Sequence, residues 1–186
     1  MTSLSSNPAA ELLRAADFAA QRHAQQKRKG AQGEPYINHL LEVAGLLADA
    51  TDGQDTNLLI AALLHDTVED VGVSRQEIER LFGSDVAELV LEVTDDKSLP
   101  KARRKELQVE HAPHKSGRAK MLKIADKVSN LRALVSGPPL DWSLERKAEY
   151  FEWARQVAEG CRGQNEKLDA LFDASHRHGL EMLKSA

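Results

Sequence analysis

The run Leu58-Leu59-Ile60-Ala61-Ala62-Leu63-Leu64 holds seven apolar side chains without a polar interruption and is followed at once by His65 and Asp66, with Glu69 and Asp70 one turn further on. A surface helix keeps its apolar residues on one stripe, whereas a helix apolar all round has to be enclosed by other elements. The run therefore demands a fold in which neighbours wrap a central helix, and it carries an ionisable end into the interior. Burying four such groups within six residues without partners is costly.

The rest of the chain supplies the wrapping. Asn7 before Pro8 has the form of an N-cap with proline at the first helical position, and Leu12, Leu13, Ala16, Ala19 and Ala20 keep helical spacing to about Gln25. Lys27-Arg28-Lys29-Gly30 through Gly33 and Pro35 is a basic loop with helix breakers. Leu40, Val43, Leu46 and Leu47 mark a second helix, and the apolar run is the third. Ser74 with Glu77 has capping-box spacing, and Gly83 separates that short helix from one opening at Ser84. A helix after Pro100, a looser stretch from His111 to Gly117, an apolar helix through Met121, Leu122, Ile124, Ala125, Val128 and Leu131, and helices beginning near Ser143 and Gln164 complete the pattern. No strand alternation or repeat is present, and Gly137-Pro138-Pro139 is too short for an interdomain linker. The expectation is an all-α, single-domain helical bundle over residues 1–186, its motif-bearing core at about 8–165 and a last helix at about 164–184.

Composition agrees: 41% of the 186 residues are apolar, 29% charged and only 4% aromatic. The net charge of -4 provides no global basic field for nucleic acid or an anionic membrane, so neither is an expected partner and any anionic ligand has to be met locally. Cys161 is the only cysteine, which excludes an internal disulfide and a cysteine zinc cluster and suits a reducing compartment. Met1 to Asn7 lacks a basic leader region, and no apolar run approaches the roughly 18 residues of a membrane span. A cytoplasmic protein is expected.

A divalent cation resolves the problem posed at His65 and Asp66, because imidazole and carboxylate suit manganese, iron or zinc and the ion offsets the local acidity. Adjacent helical residues point about 100° apart, so other elements have to complete the shell. His39 begins a helix after Pro35-Tyr36-Ile37-Asn38, and Asp126 lies inside the apolar helix from Leu122 to Leu131, where a carboxylate needs a partner. Taken singly, His65 reads as a core histidine, Asp66 as a cap and Asp126 as an ion-pair partner of Lys123 or Lys127. Their joint occurrence on three apolar helices favours a metal site formed by His39, His65, Asp66 and Asp126.

Tyr36-Ile37-Asn38-His39, His65-Asp66-Thr67-Val68-Glu69-Asp70 and Ala125-Asp126-Lys127-Val128-Ser129-Asn130-Leu131 together resemble the hydrolase domain of RelA/SpoT proteins, and especially the small stand-alone alarmone hydrolases known as metazoan SpoT homologues. The likeness continues through Val93-Thr94-Asp95-Asp96-Lys97 and Glu149-Tyr150-Phe151-Glu152-Trp153-Ala154, and covers the chain from Ala15 to about Asn165. It implies an HD fold, one Mn(II) ion, and hydrolysis of ppGpp or pppGpp at the ribose 3′ position to pyrophosphate and GDP or GTP. It assigns Glu69 and Asp70 to water activation and proton transfer, their bland reading being a solvated acidic turn.

A polyanionic substrate needs local cations. Arg28 and Lys29 stand in the loop before His39. Arg146 and Tyr150 are four apart on one helix face, and Asn130 follows Asp126 by four. Lys101 near a helix start is a further candidate. Tyr150, with Trp142 nearby, could face a purine, while Phe151 and Trp153 are assigned to packing. Two positions depart from the family pattern: Leu40 stands where proline is frequent, and Ser129 where an aromatic residue or histidine is expected. With no synthetase domain following, degradation alone is expected. Two other readings share these residues: an HD phosphatase acting on the 2′-phosphate of NADPH or on a deoxynucleotide monophosphate, and a catalytically silent module that binds alarmones or a protein partner.

Overall fold

Residues 7–185 are described by the computed structural model, so of the N-terminal reading from Met1 to Asn7 only Asn7 falls within the described residues. Helix α1, Pro8–Arg22, starts where expected, with the Asn7 side chain accepting from the backbone N–H of Ala9 at 3.1 Å. It ends three residues earlier than its apolar spacing suggests, because His23 leaves the helical path: its Nδ1 pairs with Gln26 Oε1 at 2.6 Å and its ring stacks on Tyr36. The basic loop that follows is pinned by an isolated antiparallel bridge between Lys27 and Pro35.

Helix α2, Ile37–Thr51, and α3, Thr56–Leu64, form a packed pair, and every residue of α3 from Leu58 to Leu64 is buried. Asp55 caps α3 by accepting from the N–H of Leu58 at 2.9 Å. A turn at His65 and Asp66 separates α3 from the single-turn α4, Thr67–Val71, which ends on Gly72 at φ +72°, a left-handed conformation that glycine adopts without a Cβ clash. Helices α5, Arg75–Phe82, and α6, Ser84–Val93, follow, then α7, Lys101–His111, and a short 3-10 turn at Ala112–His114.

The organising element is α8, Gly117–Ser136, which packs against α2, α3 and α6 and against α9, Leu144–Cys161, and α10, Glu166–Lys184. Its segment from Leu122 to Ser129 is buried without interruption, polar residues included, so the charges it carries have to be answered from neighbouring helices. The result is an all-α bundle with one continuous hydrophobic core. Among the described residues no helix is long and apolar enough to cross a membrane.

Candidate metal centre

Three central helices bring the expected ligands to one point. His39 lies on the first turn of α2, His65 caps the end of α3, and Asp126 sits halfway along α8; their exposures are 1%, 5% and 8%. One ligand atom from each lies within 4.8 Å of the others. Asp126 Oδ1 is 3.3 Å from His39 Nε2 and 3.9 Å from His65 Nε2. Asp66 joins them through Oδ2, 3.1 Å from His65 Nε2 and 3.7 Å from His39 Nε2. The break between α3 and α4 makes this possible: with the helix interrupted, successive side chains are freed from the 100° offset that would otherwise separate them.

The donor set fits a divalent cation. His65 Nδ1 faces the Ala62 carbonyl at 2.8 Å; a carbonyl only accepts, so Nδ1 bears the hydrogen in the neutral ring and the Nε2 lone pair is directed at the two carboxylates. That Nε2 is buried and makes no hydrogen bond, since Asp66 stands at 3.1 Å without the required alignment. Lone pairs facing carboxylate oxygens in an enclosed site call for a cation between them. Burial pulls the His65 pKa down, but Asp66 and Asp126 outweigh it and push the value up to about 9. Both carboxyls are held well below the usual range, because the histidines and, for Asp126, Lys127 overcome the opposing effect of burial.

Each acid is also held from behind. Tyr36 donates its hydroxyl to Asp66 Oδ2 at 2.7 Å. Lys127 Nζ is 2.8 Å from Asp126 Oδ2, and Asn130 donates its amide to Oδ1 at 2.6 Å. The ion-pair partner considered for Asp126 is therefore present as Lys127 and coexists with the cluster. A cavity of about 140 Å³ adjoins it, lined among others by Glu69, Asp95, Lys123, Lys127 and Asn130. Glu69 faces this cavity, and its carboxyl is raised by burial and by the Asp95 carboxylate. Asp70 is directed elsewhere, accepting from Gln26 at 2.7 Å and from Lys97 at 2.5 Å.

The basic residues divide into two groups. Arg28 is nearly covered, and its guanidinium donates to Ser129 Oγ at 3.3 Å and to Asn130 Oδ1 at 3.1 Å, so it braces the loop against α8. Lys29, Lys101 and Arg146 are exposed. They share a region: partial burial and then the charges of Arg146, Lys29 and Arg104 hold the Lys101 ammonium below its ordinary value. Arg146 lies 4.4 Å over the Trp142 ring. Tyr150 stands between Trp142 and Trp153, half-buried, with its hydroxyl pushed up to about 12 by burial against the pull of Lys127. Phe151 is core and Trp153 packs half-buried against that core, both as expected, with Lys105 and Lys127 each about 4.5 Å from the Trp153 ring.

Several of these partners went unassigned in the sequence reading. Tyr36 stood inside the motif Tyr36-Ile37-Asn38-His39, and its spacing to His39 is its signal. Asp95 and Lys97 stood inside the motif Val93-Thr94-Asp95-Asp96-Lys97, whereas Gln26 and Lys105 carry no signal, since each is defined by a partner remote in the chain.

Comparison with known proteins gives a consistent picture. The HD domain family model matches residues 15–149. Human guanosine-3′,5′-bis(diphosphate) 3′-pyrophosphohydrolase MESH1 is 55% identical over 92% of this chain and 97% of its own length. The Drosophila melanogaster protein of the same name is 46% identical over 91% of this chain and 95% of its own. A solved structure of a metazoan ortholog of SpoT, described as hydrolysing ppGpp and playing a role in starvation responses, superimposes with a TM-score of 0.88 at 45% identity, covering 94% of this chain and 98% of that one.

Proposed function

The chain belongs to the HD-domain family, among the small alarmone hydrolases of the metazoan SpoT-homologue type, and on that premise we propose that it is a Mn(II)-dependent 3′-pyrophosphohydrolase of ppGpp and pppGpp, acting in degradation and in the cytoplasm. The carrying observation is the convergence of His39, His65 and Asp126 from three helices beside a cavity faced by Glu69. Asp66 completes the proposed ligand set. The single cysteine, Cys161, is buried, which suits the proposed compartment.

Hydrolysis breaks the bond between the ribose 3′ oxygen and phosphorus, joins a water oxygen to that phosphorus and returns a proton to the 3′ oxygen. The ion, when held by these ligands, supplies Lewis acidity that lowers the pKa of water and offsets phosphate charge. Glu69 accepts the water proton, a task suited to a carboxyl whose pKa is raised by burial and by Asp95. Asp70 is proposed as the second proton-transfer acid, a role that requires it to turn from Gln26 and Lys97, which engage both of its oxygens here. Lys29, Lys101 and Arg146 meet the phosphates, Tyr150 and Trp142 offer aromatic surface to the purine, and Asn130 and Arg28 brace the wall between loop and metal ligands.

The test is a panel in which chelator-stripped protein is supplied with individual divalent metals and offered ppGpp, pppGpp, NADPH and deoxynucleotide monophosphates. Pyrophosphate release from the guanosine substrates, highest with Mn(II), is expected. Full activity without metal, or orthophosphate released from NADPH or a monophosphate alone, overturns the proposal.

A further inference from the structure

Ser129, one of the two departures from the family pattern, lies fully buried on α8, three residues beyond Asp126 and directly behind His39. Its hydroxyl has three neighbours: His39 Nδ1 at 2.8 Å, Glu42 Oε2 at 2.6 Å and Arg28 Nη1 at 3.3 Å. A serine hydroxyl has one proton to give and two lone pairs to receive with. The guanidinium of Arg28 only donates, so it occupies one lone pair. Glu42 is flanked by Arg132 Nη1 at 3.3 Å and Arg28 Nη1 at 3.9 Å; as a carboxylate between cations it only accepts, so it takes the single hydroxyl proton.

One lone pair remains, and it faces His39 Nδ1. That nitrogen therefore carries the hydrogen, and in the neutral ring the lone pair falls on Nε2, the atom directed at Asp126 and Asp66. We infer that Ser129, anchored by Glu42, is a positioning residue that fixes His39 in the tautomer whose Nε2 is presented to the metal. His65 reaches the same tautomer through the Ala62 carbonyl, which can only accept. A serine hydroxyl is able to turn either way, and here Glu42, which touches no ligand atom itself, decides its direction. The inference rests on the metal site proposed above and deepens it.

The test measures Mn(II) affinity by chelator competition on the full chain, for wild type, Ser129→Ala, Glu42→Ala and Glu42→Gln, with the melting temperature of each metal-free protein as a check on folding. Outer partners of metal-bound histidines typically change affinity by about 10–100-fold when removed. Ser129→Ala is expected within that range. Glu42→Ala is expected near its lower end, on the order of 10-fold, because it frees the hydroxyl proton to swing toward His39. Glu42→Gln retains an oxygen that accepts the same proton and is expected to bind close to wild type. Imidazole nitrogen NMR of the Zn(II)-loaded wild type is expected to show the His39 proton on Nδ1. Unchanged affinity in both alanine variants, or a His39 proton on Nε2, overturns the assignment while leaving the metal site standing. A wild type that binds neither Mn(II) nor Zn(II) overturns both. If Ser129→Ala does not fold, Glu42→Ala, at a half-exposed position, carries the test.

Discussion

At Glu69, burial and the neighbouring Asp95 carboxylate both oppose the charged form, while the Asp95 backbone N–H at 3.2 Å and Arg104 Nη1 at 3.3 Å favour it. A base whose pKa is raised fills its deprotonated form only at higher pH, so kcat/KM is expected to fall on the acid side through that raised value. Asp95→Asn removes the carboxylate that contributes to the rise, and the acid limb is expected to move to lower pH; pH–rate profiles at saturating Mn(II) measure it, and an unmoved limb would show that another group sets it. Glu69→Gln preserves shape but deletes the base, so turnover is expected to drop on the order of 100-fold with metal content unchanged. Loss of metal in that variant would make Glu69 a ligand. Asp70→Asn is the companion substitution, and wild-type turnover in both would return the pair to a solvated acidic turn.

Among the helices, α9 and α10 meet closely at Gly179, where an added Cβ would run into the Phe151 ring. Mid-helix Gly→Ala normally gains about 1 kcal/mol in propensity, but overpacking a closed core costs about 1–3 kcal/mol, so Gly179→Ala is expected to lower the melting temperature while leaving metal affinity intact. A different tie joins α6 to α8, where Arg118 grips Asp85 and Asn57 adds a bond, holding that carboxyl at about 2 against an ordinary 3.8. A depressed acid stabilises the fold above its unfolded pKa and loses that contribution as pH falls through the folded one, so the window lies between about 4 and about 2. Both side chains are more than a third exposed, which limits the effect to about 0.2–1 kcal/mol; acid titration of Asp85→Asn against wild type reads it as a shallower loss of stability. Helix starts were legible at Asn7, Ser74 and Ser143, where a side chain performs the capping, but the equivalent caps at Asp55 and Ser116 were not read. The end of α3 at Leu64 was legible as the end of the apolar run, whereas the turn at His65 and Asp66 that precedes a separate α4 was not.

Over the whole molecule, the legible part of the site consists of residues out of place in their surroundings: an aspartate in an apolar helix, a histidine-aspartate pair ending an apolar run. The bracing groups are ordinary surface-type residues until the fold supplies partners tens of positions away, as with Tyr36 on Asp66, Gln26 on Asp70 and Glu42 on Ser129; local spacing carries no record of such pairs. The same holds for charge. The chain is net acidic, yet Lys29 from the loop, Lys101 and Arg104 from α7, and Arg146 from α9 are close enough that their charges depress Lys101 together with its partial burial. Like charges are held near one another at a cost, and a polyanion placed among them relieves it. Because these cations are mostly exposed, their attraction for substrate is screened within about 10 Å at 0.1 M salt, whereas the buried metal cluster is shielded from bulk ions. Raising KCl from low to moderate concentration at fixed Mn(II) is therefore expected to increase KM several-fold with little change in kcat, the pattern of lost uniform binding. Lys101→Ala and Lys29→Ala are each expected to raise KM and to flatten that salt dependence. A KM indifferent to salt in the wild type would assign these side chains to solvent and leave phosphate recognition to the buried Lys123 and Lys127.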